Sequence, residues 1–303
     1  MFLAFSIATA MSLLAAPAQQ AVPRSRAIEF GTLPDAWIAG ANCTTEPQFQ
    51  VHAYNPDFYI VRQSICTNYE APFLYLIFGS QKAILFDTGA GGVQVGNKIR
   101  EIRDAWLAAH GMSSIQLVVA HLHAHGDHTA GDSQFTGQPN TTVVGTSLTS
   151  VRNFFGITTW PTQIVSYDLG GRVIDIIPIP GHHSAHIAVY DRRTGILLTG
   201  DSLYPGRLYV TGATGQGNWN IYKASVQRLV DFTATRPLAW VLGTHIEMST
   251  TPFDDYPFGA LSHPNEHVLQ LGRSHLLELH NSLQALPTPQ VQVHADFVIS
   301  PSG

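Results

Sequence analysis

Short apolar runs recur along this chain, and several stop at a side chain that can take a proton or a metal ion. Ala83-Ile-Leu-Phe86 ends in Asp87-Thr-Gly89, and Ile115-Gln-Leu-Val-Val-Ala120 feeds directly into His121-Leu-His-Ala-His-Gly-Asp-His128. Further on, Val173–Ile179 leads to Pro180-Gly-His182, Ile196–Thr199 to Gly200-Asp201, and Leu238–Leu242 to Gly243-Thr-His245. Runs of this length, rich in branched aliphatic residues and bounded by turn formers, read as buried strands. A chain built this way can gather its strand ends at one edge of its sheets, where separate loops would deliver imidazoles and carboxylates to one place.

The stretches between the strands complete the pattern. Ile99, Ile102 and Trp106 share one face of a helix expected from Val95 to His110, and Gly111 stops it. Further helices are expected from about Trp219 to Thr235 and from about Pro264 to Leu286. Strands are expected to begin at Phe58, after an extended lead-in over 19–50, and hairpins are read around Gly79-Ser80 and around Asp191–Gly195. A last strand is expected over Val291–Ile299. Hairpins mixed with strand–helix units imply an α/β fold of two mixed sheets packed together, with helices outside. With 45% hydrophobic and only 12% charged residues, the chain can bury a large core. No linker divides it, so residues 19–303 read as a single domain.

The apolar stretch Met1–Ala16 followed by Ala16-Pro-Ala18 has the form of a signal peptide over 1–18, although no cation precedes it and the first is Arg24. The run is short for a spanning helix, so the mature protein is expected to be exported, periplasmic or secreted, with no stable membrane insertion. Cys43 and Cys66 suit an oxidising compartment and read as a disulfide ahead of the histidine motifs. A formal net charge of −5 offers no basic face for phosphates, which excludes nucleic acid and leaves a small molecule as the expected partner. Oligomeric state leaves no mark on the pattern.

Neutral imidazole with carboxylate is the donor set that divalent zinc or iron takes. The motif His123-Ala-His-Gly-Asp-His128, with Asp87-Thr-Gly89 before it and His182, Asp201 and His245 after it, resembles the metallo-β-lactamase superfamily in order and spacing over about residues 58–250. The resemblance implies an αβ/βα sandwich with the site at the sheet edges. It also implies two divalent metal ions, zinc before iron or manganese. His123, His125 and His182 would hold one ion, Asp127, His128 and His245 the other, and Asp201 would bridge them. A bridging hydroxide would then attack the carbonyl carbon of a lactone, ester or thioester. Asp127 would carry a proton to the leaving group. Asp201 itself departs from the true β-lactamases, which carry Cys or Ser there, so β-lactam opening is expected only as a side activity.

Around this set, Tyr204 lies at the spacing of a tyrosine that aids catalysis in the superfamily's lactone hydrolases, and its hydroxyl is expected to donate to a developing oxyanion or to serve packing alone. Arg207 is read as pairing with a substrate carboxylate or a nearby acid. Trp160, Phe253, Tyr256 and Phe258 either wall a pocket or pin loops. Asp87 is expected to accept a hydrogen bond from a ligand histidine or from loop backbone. His121 is read as packing or as a support behind a ligand, His183 as a spare beside His182 and His186 as buried and hydrogen-bonded, none of them a ligand, and His263 with His267 as no further metal site. Two other readings of the same scaffold are an iron-dependent oxidoreductase and a non-catalytic binding protein; retention of all seven donors and the lack of a flavin module weigh against them.

Overall fold

The computed structural model describes Met1, residues 27–210 and residues 218–301; the signal-peptide reading of 1–18 therefore lies almost wholly outside the described residues. The first sheet runs β1 (Phe49–Asn55), β2 (Phe58–Gln63), β3 (Phe73–Phe78), β4 (Lys82–Phe86), β5 (Gln116–Ala120) and β6 (Thr141–Val143), side by side in chain order. Its first four strands are antiparallel and the last three parallel. Helix α1 (Val95–Ala109) makes the crossover from β4 to β5, which parallel strands require. The one-turn helix α2 (Gly126–Thr129) and α3 (Leu148–Phe155) flank β6.

The second sheet takes β7 (Val165–Asp168), β8 (Val173–Pro178), β9 (Ile187–Asp191), β10 (Ile196–Gly200), then β12 (Trp240–Gly243) and β13 (Gln270–Leu271). Strand β11 (Arg207–Tyr209) instead joins β14 (Gln292–Val293) and β15 (Val298–Ser300) in a small third sheet. Helix α4 (Trp219–Thr233) links β11 to β12, and α5 (Arg273–Ala285) follows β13. Among the described residues no helix is long and apolar enough to cross a membrane.

Strand alternation sets the layers. Phe73, Tyr75 and Ile77 of β3 point between the sheets and meet Ile187 and Val189 of β9, while Leu74, Leu76 and Phe78 point outward onto α1. On the other side, Ala188 and Tyr190 of β9 face α4 and α5, where Leu229, Leu276 and Leu279 are buried. Each central strand is apolar on both faces because each is covered on both. The result is helix, sheet, sheet, helix: the expected αβ/βα sandwich.

Three boundaries differ from the sequence reading. Strand β1 begins at Phe49, before the expected start at Phe58; it is an edge strand whose alternation is blurred because most of its side chains are at least partly exposed. The last helix begins at Arg273 and not near Pro264. Residues ahead of it are drawn into other contacts, with Ser249 bridging Glu266 and Arg62 gripping the Glu266 carboxylate, and Gly272 N–H donates to His275 Nδ1 to open the helix late. The final strand is split into β14 and β15, which pair antiparallel.

Candidate metal centre

Every donor singled out above sits just past the C-terminal end of a strand, where loops of both sheets meet. Asp87 follows β4, the histidine motif follows β5, His182 follows β8, Asp201 follows β10 and His245 follows β12. Two of these loops need glycine. Gly181, with φ 148°, leaves room that a Cβ would lose 2.5 Å from the Tyr222 backbone, and a Cβ on Gly200, with φ 54°, would lie 2.5 Å from His186 Nε2.

Two donor groups result. His123, His125, His182 and Asp201 form one, and Asp127, His128, Asp201 and His245 the other; within each, the donor atoms all lie within 4.8 Å of one another. In the first group His123 Nε2, His125 Nδ1 and His182 Nε2 make a triangle with sides of 2.9, 3.0 and 3.2 Å. Asp201 faces both groups with different atoms. Its Oδ2 lies 3.6 Å from His123 and 3.5 Å from His182, and its Oδ1 lies 3.3 Å from His128 and 3.5 Å from His245. Asp127 Oδ2 closes the second group, 3.1 Å from His128 Nε2 and 3.2 Å from His245 Nε2.

The imidazoles are aimed by what lies behind them. His182 Nδ1 donates to the Tyr209 carbonyl at 2.6 Å, and His245 Nδ1 to the Glu70 carbonyl at 2.7 Å. His128 Nδ1 donates to Asp87 Oδ2 at 2.8 Å, while Asp87 Oδ1 accepts the Leu122 N–H at 2.9 Å. With Nδ1 donating, each of these rings turns its Nε2 toward the shared space. His128 Nε2 and Asp201 Oδ1 are buried there without a hydrogen-bond partner. Asp87 thus holds a ligand-motif histidine and the loop backbone at once.

Electrostatics divides the two groups. Burial pushes His123, His125 and His182 below the ordinary imidazole range, so this group presents neutral nitrogens. Burial opposes charge on His128 and His245 too, but Asp127 and Asp201 outweigh it and push both well above that range. The same pairing holds both carboxylates below theirs against the burial that opposes it. Above the donors opens a cavity of about 420 Å³, lined beyond the donors by Tyr69, Glu70, Tyr204, Tyr209, Glu247 and Phe258.

Comparison with known proteins places this arrangement. The family model of the metallo-beta-lactamase superfamily matches residues 70–236, more than half of the chain. The chain belongs to the metallo-β-lactamase superfamily. Within curated proteins it is similar to a hydroxyacylglutathione hydrolase of Ectopseudomonas mendocina, 31% identical over 110 residues, which span 34% of this chain and 38% of that protein. It is also similar to the acyl-coenzyme A thioesterase MBLAC2 of Gallus gallus, 23% identical over 210 residues, 58% of this chain and 72% of that one. Solved metallo-β-lactamase structures from Pontibacter korlensis and Hirschia baltica superpose with TM-scores of 0.52 and 0.54. They share 19% and 14% identity, cover 79% and 78% of this chain, and are themselves covered to 100% and 98%. That likeness is one of fold.

For this superfamily member, the surroundings of the centre sort the remaining sequence-marked residues. His121 lies behind the cluster, its Nδ1 3.1 Å from the His128 carbonyl and its Nε2 3.2 Å from Asp132. His183 accepts the Ala185 N–H, and His186 is fully buried beside His123 with Ser202 Oγ 3.4 Å away. His263 faces Glu266 instead of pairing with His267. Tyr204 lines the cavity and lays its ring against His245, centroids 5.4 Å apart, but its hydroxyl donates to the Arg207 carbonyl. Arg207 pairs with acids of its own chain, Asp255 at 2.6 Å and Glu247 at 4.0 Å. Of the four loop aromatics only Phe258 lines the cavity; Tyr256 bonds the Pro264 carbonyl, and Phe253 stands 63% exposed. Tyr69, Glu70, Tyr209 and Glu247 were not singled out from sequence. Glu247, two residues beyond His245, and Glu70, four residues beyond Cys66, gave only proximity in sequence as a signal.

Proposed function

We propose that this protein is a dinuclear metal-dependent hydrolase of carbonyl substrates, exported and freed of residues 1–18. One observation carries the reading: Asp201 turns one carboxylate oxygen to each donor group, as a carboxylate must when it offsets the repulsion of two cations. The donors suit divalent zinc. Nitrogens about 2.05 Å from a tetrahedral ion would stand about 3.3 Å apart, against sides of 2.9 to 3.2 Å here. His123, His125, His182 and Asp201 would hold one ion, and Asp127, His128, His245 and Asp201 the other. When bound, the pair would supply water acidified toward neutral pH and an electrophilic grip on a carbonyl oxygen.

The chain's own groups supply the rest. Asp127 lines the cavity with one oxygen on His128 and His245, and would pass a proton to a leaving alkoxide or thiolate. Tyr204, with its hydroxyl on the Arg207 carbonyl, fixes the face of His245 and the cavity wall; turned toward the centre, that hydroxyl would donate to an oxyanion. Both curated relatives carry thioester names, which puts thioesters and their lactone and ester kin ahead of β-lactams. The test is a panel of thioesters, lactones, aryl esters and a β-lactam offered to zinc-loaded protein before and after chelation. Hydrolysis of at least one carbonyl class, abolished by chelation and restored by zinc, is expected; hydrolysis indifferent to chelation sinks the reading.

A further inference from the structure

The cavity wall has a charge pattern that the hydrolase reading does not use. Tyr69 and Phe258 meet edge to face with centroids 5.2 Å apart, both solvent-exposed, and Glu70 and Glu247 line the same cavity. No Lys or Arg lines the cavity among the described residues. Several described arginines are held in ion pairs away from it: Arg62 with Glu266, Arg172 with Asp191, Arg192 with Asp175, Arg193 with Asp57. Arg207 lines not this cavity but an adjoining pocket that shares Tyr69, Glu70, Glu247 and Phe258; its backbone N–H donates to the Glu247 carboxylate at 2.7 Å, and its guanidinium is taken by Asp255 and the Tyr256 carbonyl.

A thioester of glutathione or coenzyme A brings carboxylates or phosphates along with its scissile carbonyl. Recognising those groups takes guanidinium, ammonium or helix N-termini, and this wall offers aromatic faces and carboxylates instead. Aromatic faces flanked by acids suit an apolar group, uncharged or cationic. We propose that the cavity takes carbonyl substrates whose portion beyond the scissile bond is apolar and bears no negative charge, and that it discriminates against the anionic carriers for which both curated relatives are named. The proposal rests on the hydrolase reading for the position of the scissile carbonyl, but the wall selects by charge whether or not cleavage follows.

The experiment uses zinc-loaded full-length protein and pairs binding with turnover. Binding of S-hexyl-N-acetylcysteamine and S-hexylglutathione, two uncleavable thioethers, is measured by titration calorimetry, and kcat/KM is measured for the hexanoyl thioesters of N-acetylcysteamine, glutathione and coenzyme A. The uncharged thioether is expected to bind at least tenfold more tightly, and its thioester to be cleaved with at least tenfold higher kcat/KM. In Glu70→Gln the gap in binding should narrow several-fold. Equal or tighter binding of the glutathione thioether by the parent protein overturns the proposal, as does an unchanged gap in the variant. Ordered binding with no cleavage of any ester would support the charge selection while overturning the hydrolase reading.

Discussion

Asp87 shows how much of the centre depends on a residue that donates nothing to it. Fully buried, with φ 68°, it spends one oxygen on His128 and the other on the Leu122 N–H, so it fixes both a ring and the loop that carries His123 and His125. Asparagine tolerates the same backbone conformation, so Asp87→Asn should fold while losing one of these two acceptors. Its metal affinity is expected to fall about 10- to 100-fold, read by competition with a chromogenic chelator; parent-like affinity would leave Asp87 a turn residue only. At this scale the sequence was legible wherever chemistry and spacing coincided. All seven donors were marked before the structure, because no other use explains imidazoles and carboxylates after so many separate strands. Much of the cavity wall was not: Tyr69, Glu70 and Glu247 reach it from loops and Tyr209 from the short strand β11, and neither leaves a periodic trace.

Elements carry the next layer. The disulfide Cys43–Cys66, with Cα atoms 5.2 Å apart, closes the loop just ahead of Tyr69 and Glu70, and the Glu70 carbonyl is what orients His245. Replacing both cysteines by serine is expected to cost about 3 kcal/mol in the chain-entropy model, seen as a Tm several degrees lower, and to weaken retention of the metal that His245 would hold. An unchanged Tm would show that packing alone holds this loop. Strand alternation and the α1 face were readable because two-sided burial writes itself into composition. Helix α3 was missed although its signals were present: Ser147 caps it by accepting the Ser150 N–H, and Gly156 ends it at φ 72°. Only Val151 and Phe155 of that helix are buried, too short a stripe to stand out. The late start of α5 was hidden for another reason, since Glu266 is claimed by Arg62 from β2, a contact between residues 204 positions apart.

For the whole molecule, two sheets and their helices form a frame whose strand ends converge on one small volume. That volume holds two carboxylates and five imidazoles, most of them buried, an arrangement that favours bound cations over none. Metal bound only to the folded state adds stability by mass action, about 2.7 kcal/mol at a free concentration 100 times Kd. Chelation should therefore lower Tm and zinc should restore it in a concentration-dependent way; a Tm indifferent to both would mean that the frame holds no ion. The sandwich is expected to stay folded without the ions, because its cores lie between the sheets and under α1, α4 and α5.

The central claim is the sharing of Asp201 between two ions, and metal stoichiometry tests it most directly. Elemental analysis of purified protein should give about two divalent ions per chain, and Asp201→Asn, with its fold confirmed by circular dichroism, should retain one or fewer. A single ion in the parent protein, or two ions kept by the variant, would contradict it.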